Sequence, residues 1–230
     1  MGEIKAVLFD MDGVLFDSMP NHAYSWSHAM TQFGLAMTTE EAYMNEGRTG
    51  GGTIDILAQR FWHRDATQEE KEHIYAAKTE LFNQLPEAKP MPGALKALQA
   101  VKDHGWKIVL VTGSGQVTLL DRLSKHFPGF FSQDLMVTSF DVKQGKPHPE
   151  PYLMGLAKAG VRAEEALVVE NAPLGVESAH KAGIFTLAAN TGPLPDKILF
   201  EAGADLVFSG MDQVGEYLSN LSSHPFAGKK

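Results

Sequence analysis

A chain of 230 residues suits one domain, or a core domain carrying one sizeable insertion. Hydrophobic residues make up 43%, enough for a buried core and too many for disorder, while 28 acidic against 20 basic residues leave a net charge of −8. That balance argues against a nucleic-acid or anionic-membrane role, and the absence of cysteine removes disulfides, thiolate nucleophiles and cysteine metal sites together.

The first strong element is Ala6–Phe9, a continuous apolar run that stops at Asp10. It is too short for a signal-peptide core and no membrane-length run follows, so the expected setting is cytoplasmic. From about Ser18 to Glu87 no such run occurs; helical patterns cover residues 23–33, 53–62 and 68–85, and Pro86, Pro90 and Pro92 mark the return. Apolar runs then recur at 108–111, 135–137, 166–169 and 184–188, with a weaker one at 206–208. Helices are expected between them over 94–102, 117–125, 152–159 and 174–181. Apolar strands without alternation, separated by helices, predict a parallel sheet covered on both faces, a doubly wound, Rossmann-like α/β core. The helical stretch after the first strand predicts an inserted all-helical cap. The expected division is a core of 1–17 and 89–230 and a cap of 18–88, hinged near 16–20 and 86–92. The tail from Ala227 is expected to fray.

Four fragments can carry chemistry. Asp10 and Asp12 follow the first strand in Phe9-Asp-Met-Asp-Gly-Val-Leu15, at the strand end where open parallel sheets build their sites. Two acids two apart, then Gly13, can give one carboxylate to a metal and turn the other to substrate; for either acid alone, a plain turn is the alternative. Thr112 ends its strand in Val111-Thr-Gly-Ser-Gly115, where its hydroxyl and the amides of Gly113 and Ser114 suit an anion, or make an ordinary strand–turn–helix junction. The run lacks the third glycine and the early position of a dinucleotide loop. Lys146 stands in Gly145-Lys-Pro-His-Pro-Glu-Pro151, on a loop stiffened by prolines, unless it is one more solvated surface charge. Glu170 and Asn171 end a fourth strand as hard oxygen donors that suit magnesium, or as caps for the next helix.

Taken in order, these fragments resemble the motifs of the haloacid dehalogenase superfamily of aspartate-nucleophile phosphotransferases: Asp-x-Asp-Gly-x-Leu, a strand-end Thr or Ser, a lysine and an acidic pair. The resemblance covers the whole chain, including the helical cap between the first two motifs. Within the superfamily the chain is similar to the beta-phosphoglucomutase-like group. Glu46-Gly-Arg-Thr-Gly50 and Glu170-Asn-Ala-Pro-Leu-Gly175 most resemble a branch that includes inorganic pyrophosphatases.

The resemblance implies a magnesium-dependent phosphohydrolase acting through an aspartyl-phosphate on a small phosphate compound, inorganic pyrophosphate or a sugar phosphate. The alternative it implies is a beta-phosphoglucomutase-type sugar phosphomutase. Asp10 would be the nucleophile and Asp12 the acid/base. Thr112, Gly113 and Ser114 would hold phosphate oxygens, and Lys146 would neutralise charge. Magnesium would fall to Asp10, the backbone carbonyl of Asp12, and Glu170 or Asn171. His22, near the first hinge, Arg48 and Lys78 become candidate substrate contacts from the cap, with a surface role open for each. The expected partner is a small phosphorylated substrate, with no nucleic acid, no membrane and a monomeric chain.

Two departures from the family pattern stand out. The fourth motif ends in Asn171 where an aspartate is usual, and Glu46 occupies a cap loop where the mutases carry a lysine. An acid at 46 would repel the distal phosphate of a sugar phosphate. It would instead reach magnesium as the cap closes and restore the charge missing at Asn171; a solvated loop glutamate is the other reading. Without ligand, the expectation is an open cap with Glu46 and Arg48 away from Asp10.

Overall fold

The computed structural model describes residues 3–114 and 119–221. Its strands are β1 (Ala6–Phe9), β2 (Lys107–Val111), β3 (Met136–Val137), β4 (Ala166–Glu170), β5 (Phe185–Ala189) and β6 (Leu206–Phe208). All pair in parallel in the order β3-β2-β1-β4-β5-β6, with Phe9 opposite Leu110 on one side and Val169 on the other. The strands read as unbroken apolar runs because both faces of the sheet are covered. Val7 and Phe9 point into a cluster with α5 (Ala94–Asp103) and α10 (Met211–Asn220). Ala6 and Leu8 point the other way, toward α7 (Glu150–Ala159) and α8 (Pro173–Lys181). Burying a side chain such as Leu8 or Phe9 contributes about 1.5–3 kcal/mol, so the central strand is pinned from both sides. The order reverses between β1 and β4, and the crevice beyond their carboxyl ends is where such sheets bind ligands.

Four helices separate β1 from α5: α1 (Met19–Gln32), α2 (Thr39–Met44), α3 (Gly50–Trp62) and α4 (Gln68–Gln84). They enclose their own apolar cluster, which includes Met30, Leu35, Ile54, Leu57 and Ile74. Capping boxes open α2 and α4: Thr38 and Thr67 accept from the amides of Glu41 and Glu70, whose carboxylates accept the threonine amides in return. The two chain crossings lie side by side, with Phe16 bridged to Pro90, Asp17 N donating to Lys89 O at 2.9 Å and Met91 N donating to Leu15 O at 2.8 Å.

Most differences from the expected elements are at the ends. Helix α1 begins four residues before Ala23 because Pro20 is admissible in a first turn, and α3 begins at Gly50 because Thr49 caps it. Leu135 belongs to a short 3-10 turn before β3 rather than to the strand. Helices α2, α9 (Asp196–Glu201) and α10 were not expected. Helix α6 (Leu119–His126) covers most of the expected 117–125 helix; its proposed start at 117 and the tail from 222 lie outside the described residues. Among the described residues no helix is long and apolar enough to cross a membrane.

Candidate active site

Asp10 is the first residue beyond β1, and its backbone N donates to Val169 O at 3.0 Å, fixing it over the β1–β4 crevice. Lys146 comes from the loop before α7, after which the Lys146-Pro147 peptide is cis. Its ammonium is enclosed and donates to Asp10 Oδ1 at 2.5 Å, Glu170 Oε1 at 2.6 Å and Val111 O at 3.2 Å. Burial alone would strip its proton, but the charges of Asp10 and Glu170 overcome that and hold it firmly protonated. For Asp10, burial is the larger influence; with the charges of Glu170 and Asp12 it outweighs Lys146 and raises the carboxyl's proton affinity.

Glu170, fully buried, is saturated. Oε1 accepts from Lys146 and from the Tyr152 hydroxyl at 2.7 Å, and Oε2 accepts from the amides of Asn171 at 2.9 Å and Ala172 at 3.2 Å. Those four donors fill a carboxylate's acceptor positions. Gly175 in the first turn of α8 leaves the room, because a Cβ there would collide with the carboxylate.

Asp12 faces the cap. Its Oδ1 accepts from Ser18 Oγ at 2.5 Å and lies 3.4 Å from His22 Nε2. Burial favours the neutral acid, yet the His22 charge, bonds from His22 and Ser18 and the Arg122 charge prevail and hold Asp12 well below the usual carboxylate range. His22 continues to Lys78, with Nδ1 3.1 Å from the lysine Nζ. Lys78 is 6% exposed and sits over Phe82, Trp26 and Tyr75 at 4.7, 5.5 and 5.9 Å from the ring centroids. Burial pulls its pKa down to about 8 against the charge of Asp12.

The cap loop closes the site instead of standing off it, contrary to the expectation of an open cap. Glu46 accepts from Asn171 Nδ2 through Oε1 at 3.1 Å and Oε2 at 3.0 Å. Burial and the charge of Asp10 hold the Glu46 carboxyl well above its ordinary range, against the bond from Asn171. Gly47, at φ +83°, lies against the Lys146 stem, where a Cβ would come 3.0 Å from Cδ. Arg48 donates to Asn45 Oδ1 at 3.2 Å. On the core side Thr112 Oγ1 accepts from Ser114 N at 3.0 Å. Asp10, Asp12, His22, Glu46, Arg48, Lys78, Thr112, Gly113, Ser114, Lys146 and Glu170 all line one cavity of about 580 Å³, with Asn171 behind Glu46.

Among the described residues, no three His, Asp or Glu side chains gather as a metal-ligand group. Of the expected magnesium ligands Glu170 or Asn171, Glu170 has its acceptor positions taken in this structure by Lys146, Tyr152 and two amides. Other oxygens fit a hard cation. Asn171 Oδ1 is buried with no hydrogen-bond partner, an omission that costs about 1–3 kcal/mol. Beside it, Asp10 and Glu46 crowd as carboxylates whose raised proton affinities a dication would reverse. Asp10, the Asp12 carbonyl, Asn171 and Glu46 are the donors that would hold it.

The profile of haloacid dehalogenase-like hydrolases matches residues 4–183. The chain belongs to that family. This hydrolase is 34% identical over 203 residues to the phosphorylated carbohydrates phosphatase of Thermotoga maritima, across 87% of this chain and 92% of that protein. It is 32% identical over 211 residues to hexitol phosphatase A of Escherichia coli, across 91% and 93% of the two. Among solved structures it is similar to one from Bacteroides vulgatus provisionally described as a beta-phosphoglucomutase, at 55% identity and a TM-score of 0.89, covering 95% of this chain and 91% of that one.

Sequence reasoning missed several parts of the hydrolase's site. Ser18 occupies the N-cap position of α1, but its hydroxyl serves Asp12 instead of the helix. Tyr152 and Arg122 carry no local signal, and Gly175 was read only as the end of a motif, because their roles arise only once β4, α6, α7 and α8 are packed together.

Proposed function

We propose that this hydrolase is a magnesium-dependent phosphatase of small phosphate compounds that works through a phosphoryl group on Asp10, with residues 18–88 serving as the cap. The observation that carries the reading is the enclosed Asp10–Lys146–Glu170 set with Asp12 beside it. Asp10 would attack phosphorus as the bond to the leaving oxygen breaks, with Lys146 and the Thr112–Ser114 loop holding phosphoryl oxygens. Water would then displace Asp10, its proton passing to Asp12, which the site already keeps ionised for that second step. Magnesium, when bound, would screen the phosphoryl charge.

Asp12, left holding water's proton, would return it to the leaving oxygen of the next turnover. Pyrophosphate is a candidate through the Glu46–Gly50 and Glu170–Gly175 segments. The cavity of about 580 Å³, partly lined by Trp26, Tyr75 and Phe82, supports sugar phosphates, the class that the Thermotoga maritima relative's name indicates for that protein. Mutase activity is the second reading, favoured by the Bacteroides vulgatus neighbour and opposed by the acid at Glu46. A kinetic screen over pyrophosphate, hexose phosphates, nucleotides and phosphonates tests the proposal. Steady phosphate release is expected; glucose 6-phosphate accumulating from beta-glucose 1-phosphate without phosphate release would sink it.

A further inference from the structure

Residues 190–195, between β5 and α9, touch both halves of the molecule. Asn190 braces this loop: Nδ2 donates to Leu194 O at 2.7 Å and Asp196 Oδ1 at 2.5 Å, and the backbone N donates to Phe208 O at 2.7 Å. Thr191 Oγ1 then donates to Gly13 O at 2.7 Å, at the end of the Asp10–Asp12 loop. Gly192 faces the ring of Tyr43 in α2, where a Cβ would lie 2.9 Å from Cδ1 and 3.0 Å from Cε1, at the limit of what real Cβ atoms tolerate. Leu194, 5% exposed, is buried in the cap's apolar cluster with Met37, Ala42 and Tyr43.

These contacts close a ring. Glu46 N donates to Tyr43 O at 3.3 Å, the Glu46 carboxylate accepts from Asn171, and the Asn171 amide packs against Gly13, where a Cβ would overlap it. From Gly13 the ring returns through Thr191 and Gly192 to Tyr43. We propose that Tyr43, seated on Gly192 and Leu194, is the positioning residue that sets Glu46 against Asn171, and that loop 190–195 is the dock for the cap. The proposal rests on reading Glu46 as a metal-facing carboxylate. A stiff aromatic ring on a bare glycine gives a contact with little rotamer freedom to lose, and Glu46 follows Tyr43 by three residues, so a shift of α2 is passed on to it.

The absence of native cysteine allows a direct test. Spin labels on Glu69→Cys in α4 and Leu153→Cys in α7 report the cap–core distance. In magnesium, the parent is expected to give one short distance. Gly192→Ala should shift population to a longer one and raise the magnesium needed for half activity on the order of 10-fold. Adding Tyr43→Leu, which removes the obstructing ring, should recover part of both. Unchanged distances in Gly192→Ala overturn the dock, and so does a longer distance that Tyr43→Leu does not shorten. Glu46→Ala separates the underlying reading: if it leaves the magnesium requirement unchanged while Gly192→Ala still moves the labels, the metal-facing role of Glu46 fails.

Discussion

Asparagine in place of Asp10 keeps the shape of the side chain and removes the oxygen that would bond to phosphorus. Lys146 retains Glu170 as its partner, so Asp10→Asn is expected to fold while kcat falls by at least about 10³-fold. A folded variant with a tenth of the parent activity would place the nucleophile elsewhere. At Glu46 the expectation is a shift in cation demand: Glu46→Ala should raise the magnesium needed for half activity on the order of 10-fold. Asn171→Asp in that background should recover part of it, read as non-additivity in a double-mutant cycle; strictly additive effects would mean the two residues do not share a cation. At this scale the sequence singled out Asp10, Asp12 and Lys146, and the structure brings the three into one cavity. The sequence did not reveal how Glu170 is used. A carboxylate is visible in a sequence, but the four donors that fill its acceptors come from three separate elements and appear only on packing.

Helices α8 and α4 each place one residue with consequences for the whole element. Gly175→Ala would drive a methyl into the Glu170 carboxylate and, through it, displace Lys146. Positioning shells of this kind typically affect activity by 10–100-fold, so kcat/KM should fall by about that factor while the far-UV spectrum is retained; unimpaired turnover would show that Glu170 has slack. On α4, the Lys78 pKa of about 8 lies below that of an unfolded lysine. Between the two values the unfolded chain holds a proton that the folded chain releases, so stability rises with pH across that window, and below it the full penalty is present. Lys78→Met should therefore stabilise the protein near pH 7 by roughly 1–3 kcal/mol, an advantage that shrinks toward pH 10, while weakening anionic substrates. Urea unfolding at the two pH values checks the sign, and a variant equally stabilised at both contradicts it. The starts of α4 and α8 were legible beside Thr67 and Pro173, but those of α1 and α3 were placed late despite Pro20 and Thr49; α2 was not anticipated, although Thr38 and Glu41 carry a capping-box spacing.

At the scale of the molecule, the layered α/β architecture was readable because continuous apolar strands have few other places to go. The strand order was not, since it depends on which crossovers pass over which face. The paired crossings make the insertion separable: Asp17 and Lys89 are already hydrogen-bonded neighbours. Joining 17 to 89 through a short glycine-containing turn should give a core that still unfolds cooperatively by calorimetry but has lost catalysis, with Leu194 newly exposed and a good place to add a serine. Failure of that core to fold would show that the 18–88 segment contributes to the structure of the sheet domain as well as covering it.

The sheet's margins carry a different consequence. It ends in β3, with two residues, and β6, with three, whereas its central strands run to four and five. Edges that short offer another chain too few free amides and carbonyls to template cross-strand pairing. The expected consequence is resistance to β-mediated aggregation under crowding, which light scattering and a thioflavin assay on concentrated protein would check.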